Sequence, residues 1–563
     1  MIEWRLRGGY KRERLKDHAL LKRGTLAAAI AVVALVAGPT GATPYDPGTW
    51  APVRSVDGVR LAPRNLVRPP PGAPEPLFLR SSLECKIGPS RTSHANVNLD
   101  CDAARLPNNE THIVVDPNDP EHIVVTAHDY DSNGHQFYVT FDAGRHWRTG
   151  EMASLGPYRI ASDPVTAIDP VTGNVMHSEL NYLWTSDGLA DGHVVVSVST
   201  DGGIHWRKPR IVAEGKGDDD DRRQIFNDKE WIATDTFPGS PHFGRTYLVW
   251  AEFRSRYGNY RRSPIVESHS DDGGFSWSKP QAISGSNPVC TWQLTGPDGK
   301  CDEAEAPTIA VQPDGDVFVA FLSPQNRSIW EQGERLDDTY FVVRSTNGGK
   351  AWSDPVVAAT MEDGKRDFPK NVQHRRTLTG YQLRIPTFGN ITASPLDGRL
   401  YLVFTDNRNG KHDVDRPRTK TDVFVASSAG GIAWSAPTPV IDKASDQWFP
   451  FADVDPVTGD LGVIFHDRRL SNRDLYDTRL AVGTPGSFTY TRLSTKPSNP
   501  VRSAHFRAGT AGCRRCATFH GDYIGLDFGS DGAANAVWTD MRRRVAFAWG
   551  RGRNENVYFR RVA

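Results

Sequence analysis

One eight-residue shape returns five times along the chain: TFDAGRHW at 140–147, STDGGIHW at 199–206, SDDGGFSW at 270–277, STNGGKAW at 345–352 and SSAGGIAW at 427–434. The shared pattern is Ser/Thr-x-Asp-x-Gly-x-x-Trp. A motif that recurs over tens of residues constrains a fold strongly, because each copy must sit in an equivalent unit. Each unit opens with an apolar strand ending near Asp-Pro, as in THIVVDP at 111, PVTAIDP at 164 and FADVDP at 451. A second, more apolar strand follows, as in HIVVTAHDY at 122, RTYLVWAEFR at 245, RLYLVFTDNR at 399 and NAVWTDMR at 535. The third strand runs into the box, and a weaker fourth strand follows its Trp.

Counting second strands gives seven units, starting near residues 110, 162, 228, 304, 384, 448 and 521. Four strands per unit at this spacing describe the blades of a β-propeller. The last unit stops after its third strand, NVYFRRV at 556–562, and HANVNLD at 94–100 has strand character ahead of the first unit. The expectation is an all-β chain with a single seven-bladed propeller over 94–563. The N-terminal segment supplies the outer strand of the last blade and leaves no open edge. Six blades are the alternative, because two boxes are degraded and two units have none.

The box itself reads as structure. In a tight turn, Ser/Thr and Asp side chains satisfy nearby backbone N–H groups and Gly supplies a positive φ. The Trp folds beneath the turn and buries its indole. Asn347 and Ala429 replace the Asp in two copies while Gly and Trp stay. A catalytic carboxylate would not be lost copy by copy from a surviving frame, so Asp272 and its equivalents are not catalytic acids.

Composition narrows the class further. The 67 basic residues balance 67 acidic ones, so no net field draws the chain to nucleic acid or to an anionic membrane. At the N-terminus, basic residues from Arg5 to Arg23 precede the apolar run TLAAAIAVVALVAG at 25–38 and then PTGAT. That layout is a secretory signal over 1–42, cleaved after Ala42, with a retained membrane anchor as the alternative. The Pro-rich stretch within 43–93 reads as an extended linker. Export favours disulfides among the six cysteines, and proximity suggests Cys85–Cys101, Cys290–Cys301 and Cys513–Cys516. CRRC at 513–516 lies between His505 and His520, but no second CxxC supports zinc there. The run Asp218–Asp221 reads as a solvated loop.

The boxes resemble Asp boxes, also called bacterial neuraminidase repeats, and the chain is similar to the sialidase superfamily of propellers. That resemblance implies hydrolysis of terminal sugars, sialic acid among them, with arginines that grip a substrate carboxylate, a Tyr nucleophile activated by Glu, and an Asp acid/base. Arg384-Ile385-Pro386 resembles the family's inner-strand Arg-Ile-Pro, and Arg408 and Asp413 follow it as loop Arg and loop Asp. The resemblance therefore implies Arg384 as carboxylate binder, Arg408 as a sugar contact and Asp413 as acid/base. Arg469 and Arg542 are further substrate-binding candidates. Tyr523, in HGDYIGLDFGSDG, resembles the late nucleophile segment, and Glu230 in NDKEW is its Glu candidate.

Two departures stand beside this. Four units precede Arg384, whereas the family places that blade first. In addition, Asp/Glu-x-Arg recurs at Glu252/Arg254, Asp406/Arg408, Asp467/Arg469 and Asp540/Arg542, which also reads as a repeated salt bridge between neighbouring blades. Glu110, Asp163, Asp228, Glu230, Glu305, Arg384 and Asp522 all fall near inner-strand starts. Together they predict an acid-rich channel mouth suited to glycoside chemistry or to Ca²⁺. No cofactor is implied otherwise. Expected partners are glycans or glycoconjugates, with no nucleic acid, a membrane only through the N-terminal segment, and a monomeric chain. The alternative class is a non-catalytic propeller that binds glycan or protein at its channel mouth.

Overall fold

A computed structural model describes residues 96–563 except 101–105, 131, 154, 157, 159, 186–187, 218–222, 258, 291–298, 324–337, 365, 373–374, 504–517 and 548–549, together with short strands Ser55–Val56, Val59–Arg60 and Leu83–Cys85. Seven antiparallel sheets with the four-strand blade pattern span 108–151, 160–213, 224–282, 305–361, 390–439, 447–492 and 525–562. They are numbered here as blades one to seven, and seven replaces the six-blade alternative. Within each span, sequence order runs from the axis outward, and Val97–Asn98 is the outer strand of blade seven. Leu83–Cys85 adds a further outer strand to blade one by pairing with Trp147–Glu151. Among the described residues the only helical turn is Pro500–Arg502, and no helix is long and apolar enough to cross a membrane.

Both faces of each blade are covered by neighbours, so second strands are largely buried on both faces instead of alternating with solvent. Val317–Ser323 (VFVAFLS) is buried at every position. Ring closure follows the expected route. Val97 and Asn98 pair with Phe559 and Tyr558 of the last blade's third strand. Asp100 then ties the seam: its carboxylate accepts from Tyr138 Oη (2.5 Å) in blade one, and from Asn556 Nδ2 (2.7 Å) and Val557 N (3.0 Å) in blade seven.

The boxes are turns between third and fourth strands, built from the same bonds each time. In the copy at 270–277, Ser270 Oγ donates to Asp272 (2.9 Å), Gly274 N to Ser270 Oγ (3.0 Å), Ser276 N to Asp272 (2.8 Å) and Trp277 Nε1 to the Gly274 carbonyl (3.1 Å). Asn347 takes over the acceptor role in its copy, receiving Ala351 N at 2.9 Å. Where Ala429 offers no acceptor, Ser428 Oγ binds Gly431 N (2.9 Å) and the indole bond to Gly431 remains (3.2 Å). Each box leans on the preceding blade. A side chain at Gly144 (φ +85) would meet the Phe559 ring of blade seven at 2.6 Å, so the turn needs glycine for both conformation and space.

Cys290 and Cys301 form a disulfide across the connection between blades three and four, with Cα atoms 5.3 Å apart. Of the other two expected pairs, Cys101, Cys513 and Cys516 lie outside the described residues, as do the CRRC motif and the Asp218–Asp221 run.

Candidate functional site

Inner strands carry a repeated local device near the axis. Six residues before each strand's terminal Asp or its equivalent, five blades hold a non-glycine residue in the left-handed region: Glu110 (φ 53°), Asp163 (60°), Lys229 (54°), Ala306 (51°) and Phe449 (52°). The strand pairing shifts register at the same level, between Asn109 and His112, Asp228 and Trp231, Glu305 and Thr308, and Trp448 and Phe451. Such residues cost roughly 1–3 kcal/mol each and persist only where the surroundings enforce them. Phe388 and Tyr523 occupy the corresponding positions of blades five and seven. Gly521 (φ +86) lets the chain reach Tyr523 while passing the Glu110 backbone, where a Cβ would lie 2.6 Å from Glu110 N.

This device gathers ionisable groups around the axis. A small cavity of about 20 Å³ is walled by Lys229, Trp231, Phe388, Phe451, Asp522 and Tyr523, among others. Lys229 is buried, and its ammonium stands 3.6 Å from the centroid of the Tyr523 ring and 5.5 Å from that of Trp231. Nζ has no hydrogen-bond partner. Tyr523 Oη donates to the Pro164 carbonyl of blade two at 3.0 Å. Burial, then the charges of Asp163, Glu110, Glu230 and Asp522, push the phenol well above its ordinary pKa and keep it neutral.

Glu230 is fully buried, and neither of its oxygens finds a hydrogen bond. Burial first and Asp163 second raise its pKa well above the usual carboxylate range. Glu110 is raised by the same two causes in the same order. These acids do not line the cavity; they stand within electrostatic reach of Tyr523, which does. Acidic side chains crowded in low dielectric resist ionising together, which is why Glu230 and Glu110 are both pushed up.

Arg384 arrives on a segment before blade five, where its backbone N–H bonds the Thr518 carbonyl at 2.9 Å. Its guanidinium pairs with Asp522, next to Tyr523, and faces the Phe519 ring at 4.5 Å. Despite burial, that guanidinium holds Asp522 well below the usual carboxylate range. Arg384, Tyr523 and Glu230 are thus brought to one region, with the Arg384 charge already taken by Asp522.

The remaining sequence candidates lie elsewhere in the fold, and none forms part of the cavity wall. Asp413 is on a surface loop, paired with Lys411 Nζ at 2.7 Å and accepting from the backbone of Asp415 and Arg416 at 3.0 and 3.2 Å. The Lys411 hydrogen bond, then those backbone bonds, bring it down to about 2. Arg408 chelates Asp406 of its own blade, stacks 4.4 Å from the Phe424 centroid, and gives Nη2 to the Thr360 carbonyl of blade four at 3.0 Å. Arg542 pairs with Asp540 at 2.8 Å and sends Nη1 to Asn96 and Thr495. The recurrent Asp/Glu-x-Arg is therefore a pair within a blade, and in these two copies spare nitrogens reach across the seam. Asp467/Arg469 departs from the pattern, since Arg469 pairs with Asp477 at 2.6 Å and Asp467 with Arg479 at 2.5 Å.

Sequence reasoning passed over Lys229, Trp231, Phe388 and Phe451. Lys229 and Phe388 stand six residues, and Trp231 and Phe451 four, before the strand's terminal residue, offsets visible only once the repeats are aligned on the bulge.

No protein-family model and no curated protein matches the chain. Solved structures similar to it include an intramolecular trans-sialidase from Ruminococcus gnavus, at 12% identity over 69% of this chain and 94% of that one, TM-score 0.36. Others are the NanB sialidase from Streptococcus pneumoniae (9%, 78% and 83%, 0.38) and the GH93 alpha-L-arabinofuranosidase of Fusarium graminearum (12%, 71% and 99%, 0.39). The likeness is one of strand architecture, and the seven blades are read from this chain's own strand pairing.

Proposed function

We propose that this protein is an exported, sialidase-like glycoside hydrolase acting on terminal sugars of glycans. The observation that carries the reading is Tyr523: a phenol in the cavity wall, with the Lys229 ammonium over its ring and buried acids behind it. As nucleophile, its oxygen bonds to the anomeric carbon while its proton passes to Glu230. A carboxyl whose pKa is raised by burial is a stronger base than an exposed one, which suits that task. The bond from the anomeric carbon to the leaving oxygen breaks in the same step, that oxygen taking a proton from water, and a second water then cleaves the tyrosyl–sugar bond and returns the proton to Tyr523. Aromatic rings of Trp231, Phe388 and Phe451 offer apolar faces to a sugar. Lys229, lacking a hydrogen-bond partner, is the cation that meets a sugar carboxylate, with Arg384 contributing if the ligand displaces Asp522. Asp413, Arg408, Arg469 and Arg542 serve outside the cavity, with Asp413 and Arg408 acting on longer glycans that cross the surface loops.

The test is release of chromophore from a panel of aryl glycosides, aryl sialosides included, by the full chain. Turnover that falls at least about 100-fold in both Tyr523→Phe and Glu230→Gln supports the reading. A second reading, glycan binding without catalysis, is favoured by two commitments: Tyr523 Oη to the Pro164 carbonyl, and Arg384 to Asp522. Absence of turnover on every glycoside, with glycan-array binding that Lys229→Met abolishes, supports that second reading instead.

A further inference from the structure

His135, His177 and Glu179 meet at the boundary between blades one and two, outside the cavity wall. His177 and Glu179 are two apart on the strand Val175–Thr185, so both point from the same face of blade two. His135 lies on the strand Gly134–Phe141 of blade one. All three are at most 1% exposed. His135 Nδ1 is 2.7 Å from Glu179 Oε2 and 3.0 Å from His177 Nε2, and the last two atoms are 3.4 Å apart.

Three lone-pair atoms so arranged are poorly served by hydrogen bonds alone, because a single proton on His135 Nδ1 cannot point well at both neighbours. A cation serves all three. The circle through them has a radius of about 1.8 Å, so an ion at about 2.0–2.1 Å from each ligand sits about 1 Å from their plane, capped on one side by the three ligands. The ligand orientations are set from behind as well. Asn181 Nδ2 donates to the other Glu179 oxygen at 2.7 Å, and Thr166 Oγ1 stands 3.4 Å from His177 Nδ1. Such outer partners fix the ring and carboxylate of metal ligands. Two imidazoles and one carboxylate form a borderline donor set that suits Zn²⁺ and its first-row neighbours.

We infer that His135, His177 and Glu179 bind one divalent first-row transition-metal ion, with Zn²⁺ as the reference, which clips blade one to blade two. Burial of the ligands assigns it a structural role: the ion joins the two blades through their side chains.

The experiment uses the full-length chain, stripped with a chelator, reloaded with Zn²⁺ or Co²⁺ and dialysed at neutral pH. About one equivalent of metal retained per chain, a melting temperature that rises with free Zn²⁺, and cobalt ligand-field bands without a thiolate charge-transfer band are the expected results. In the double variant His177→Gln/Glu179→Gln, retention drops below about one tenth of an equivalent. Should that variant fail to fold, the wild-type cobalt spectrum decides. Retention below one tenth of an equivalent by the wild type overturns the inference. So does a thiolate band, which places the ion at cysteines, or undiminished retention by a folded double variant.

Discussion

Tyr523 of blade seven donates its hydroxyl to the Pro164 carbonyl of blade two, 3.0 Å away, joining two blades that are not neighbours in the ring. The same residue receives the Lys229 ammonium on its ring face. Replacement by Phe keeps the ring and the cation contact but leaves a buried carbonyl unpaired. Tyr523→Phe is therefore expected to lose about 1 kcal/mol of stability, read by denaturant unfolding. On the proposed mechanism it also loses turnover by a far larger factor. A variant that loses stability and keeps turnover would remove Tyr523 from the reaction.

The Arg384–Asp522 pair is buried on both sides. Arg384→Met strands a carboxylate in low dielectric and is expected to cost about 3–5 kcal/mol, whereas Arg384→Met with Asp522→Leu recovers most of it. Chemical denaturation of the single and double variants measures the difference. If the two unfold at the same denaturant concentration, the pair is not what holds Asp522 charged.

Asp100 draws four donors from the first and last blades into one carboxylate: Asn108 Nδ2, Tyr138 Oη, Asn556 Nδ2 and Val557 N. Asp100→Ala should cost about 3 kcal/mol or more, since hydrogen bonds to a charged acceptor contribute about 1.5–3 kcal/mol each. Its effect should appear first as hydrogen exchange in the strand Asn556–Val562, where the ring closes. Uniform loss of protection across all seven blades would argue against a weak seam.

The boxes allow a graded test. Asp272→Ala removes acceptors for Ser270, Ser276 N and Ser276 Oγ at an exposed turn, and should cost about 1 kcal/mol without changing turnover. Trp206→Ala removes a buried indole whose Nε1 also bonds Gly203, and should cost about 3–5 kcal/mol. Thermal melts and an activity assay on the same preparations separate the two.

Burial lowers His112 and His520 to about 3, with Lys229 and His177 adding to the effect at His112. An imidazole kept neutral in the fold contributes stability that is complete above its ordinary pKa of 6.5 and is lost as pH falls toward 3, because only the unfolded chain takes up the proton. Between pH 6.5 and 5.5 each should cost about 1 kcal/mol. His520→Gln, which keeps an acceptor for Tyr476 Oη, should flatten the acid limb of a melting-temperature profile. An unchanged slope would locate the acid sensitivity elsewhere.

The blade count, the strand order and the seam at Val97–Asn98 were legible because they are periodic: each strand's apolar run and each box repeats, and the final unit lacks one strand. The role of the box was legible for the same reason, since Asn347 and Ala429 show what the turn tolerates. Inner-strand acids were also found at the axis by their position in the repeat, as Glu110, Asp163 and Glu230 illustrate. Local pattern thus determined the architecture, because propeller blades are built from neighbours in sequence. Tertiary structure decided what each charge faces. Arg384 meets Asp522 across 138 residues, Tyr523 reaches Pro164 across 359, and His135 meets Glu179 across 44. Those contacts form only when blades pack against one another, and partner choice in a low-dielectric interior depends on which side chains that packing brings within a few ångströms.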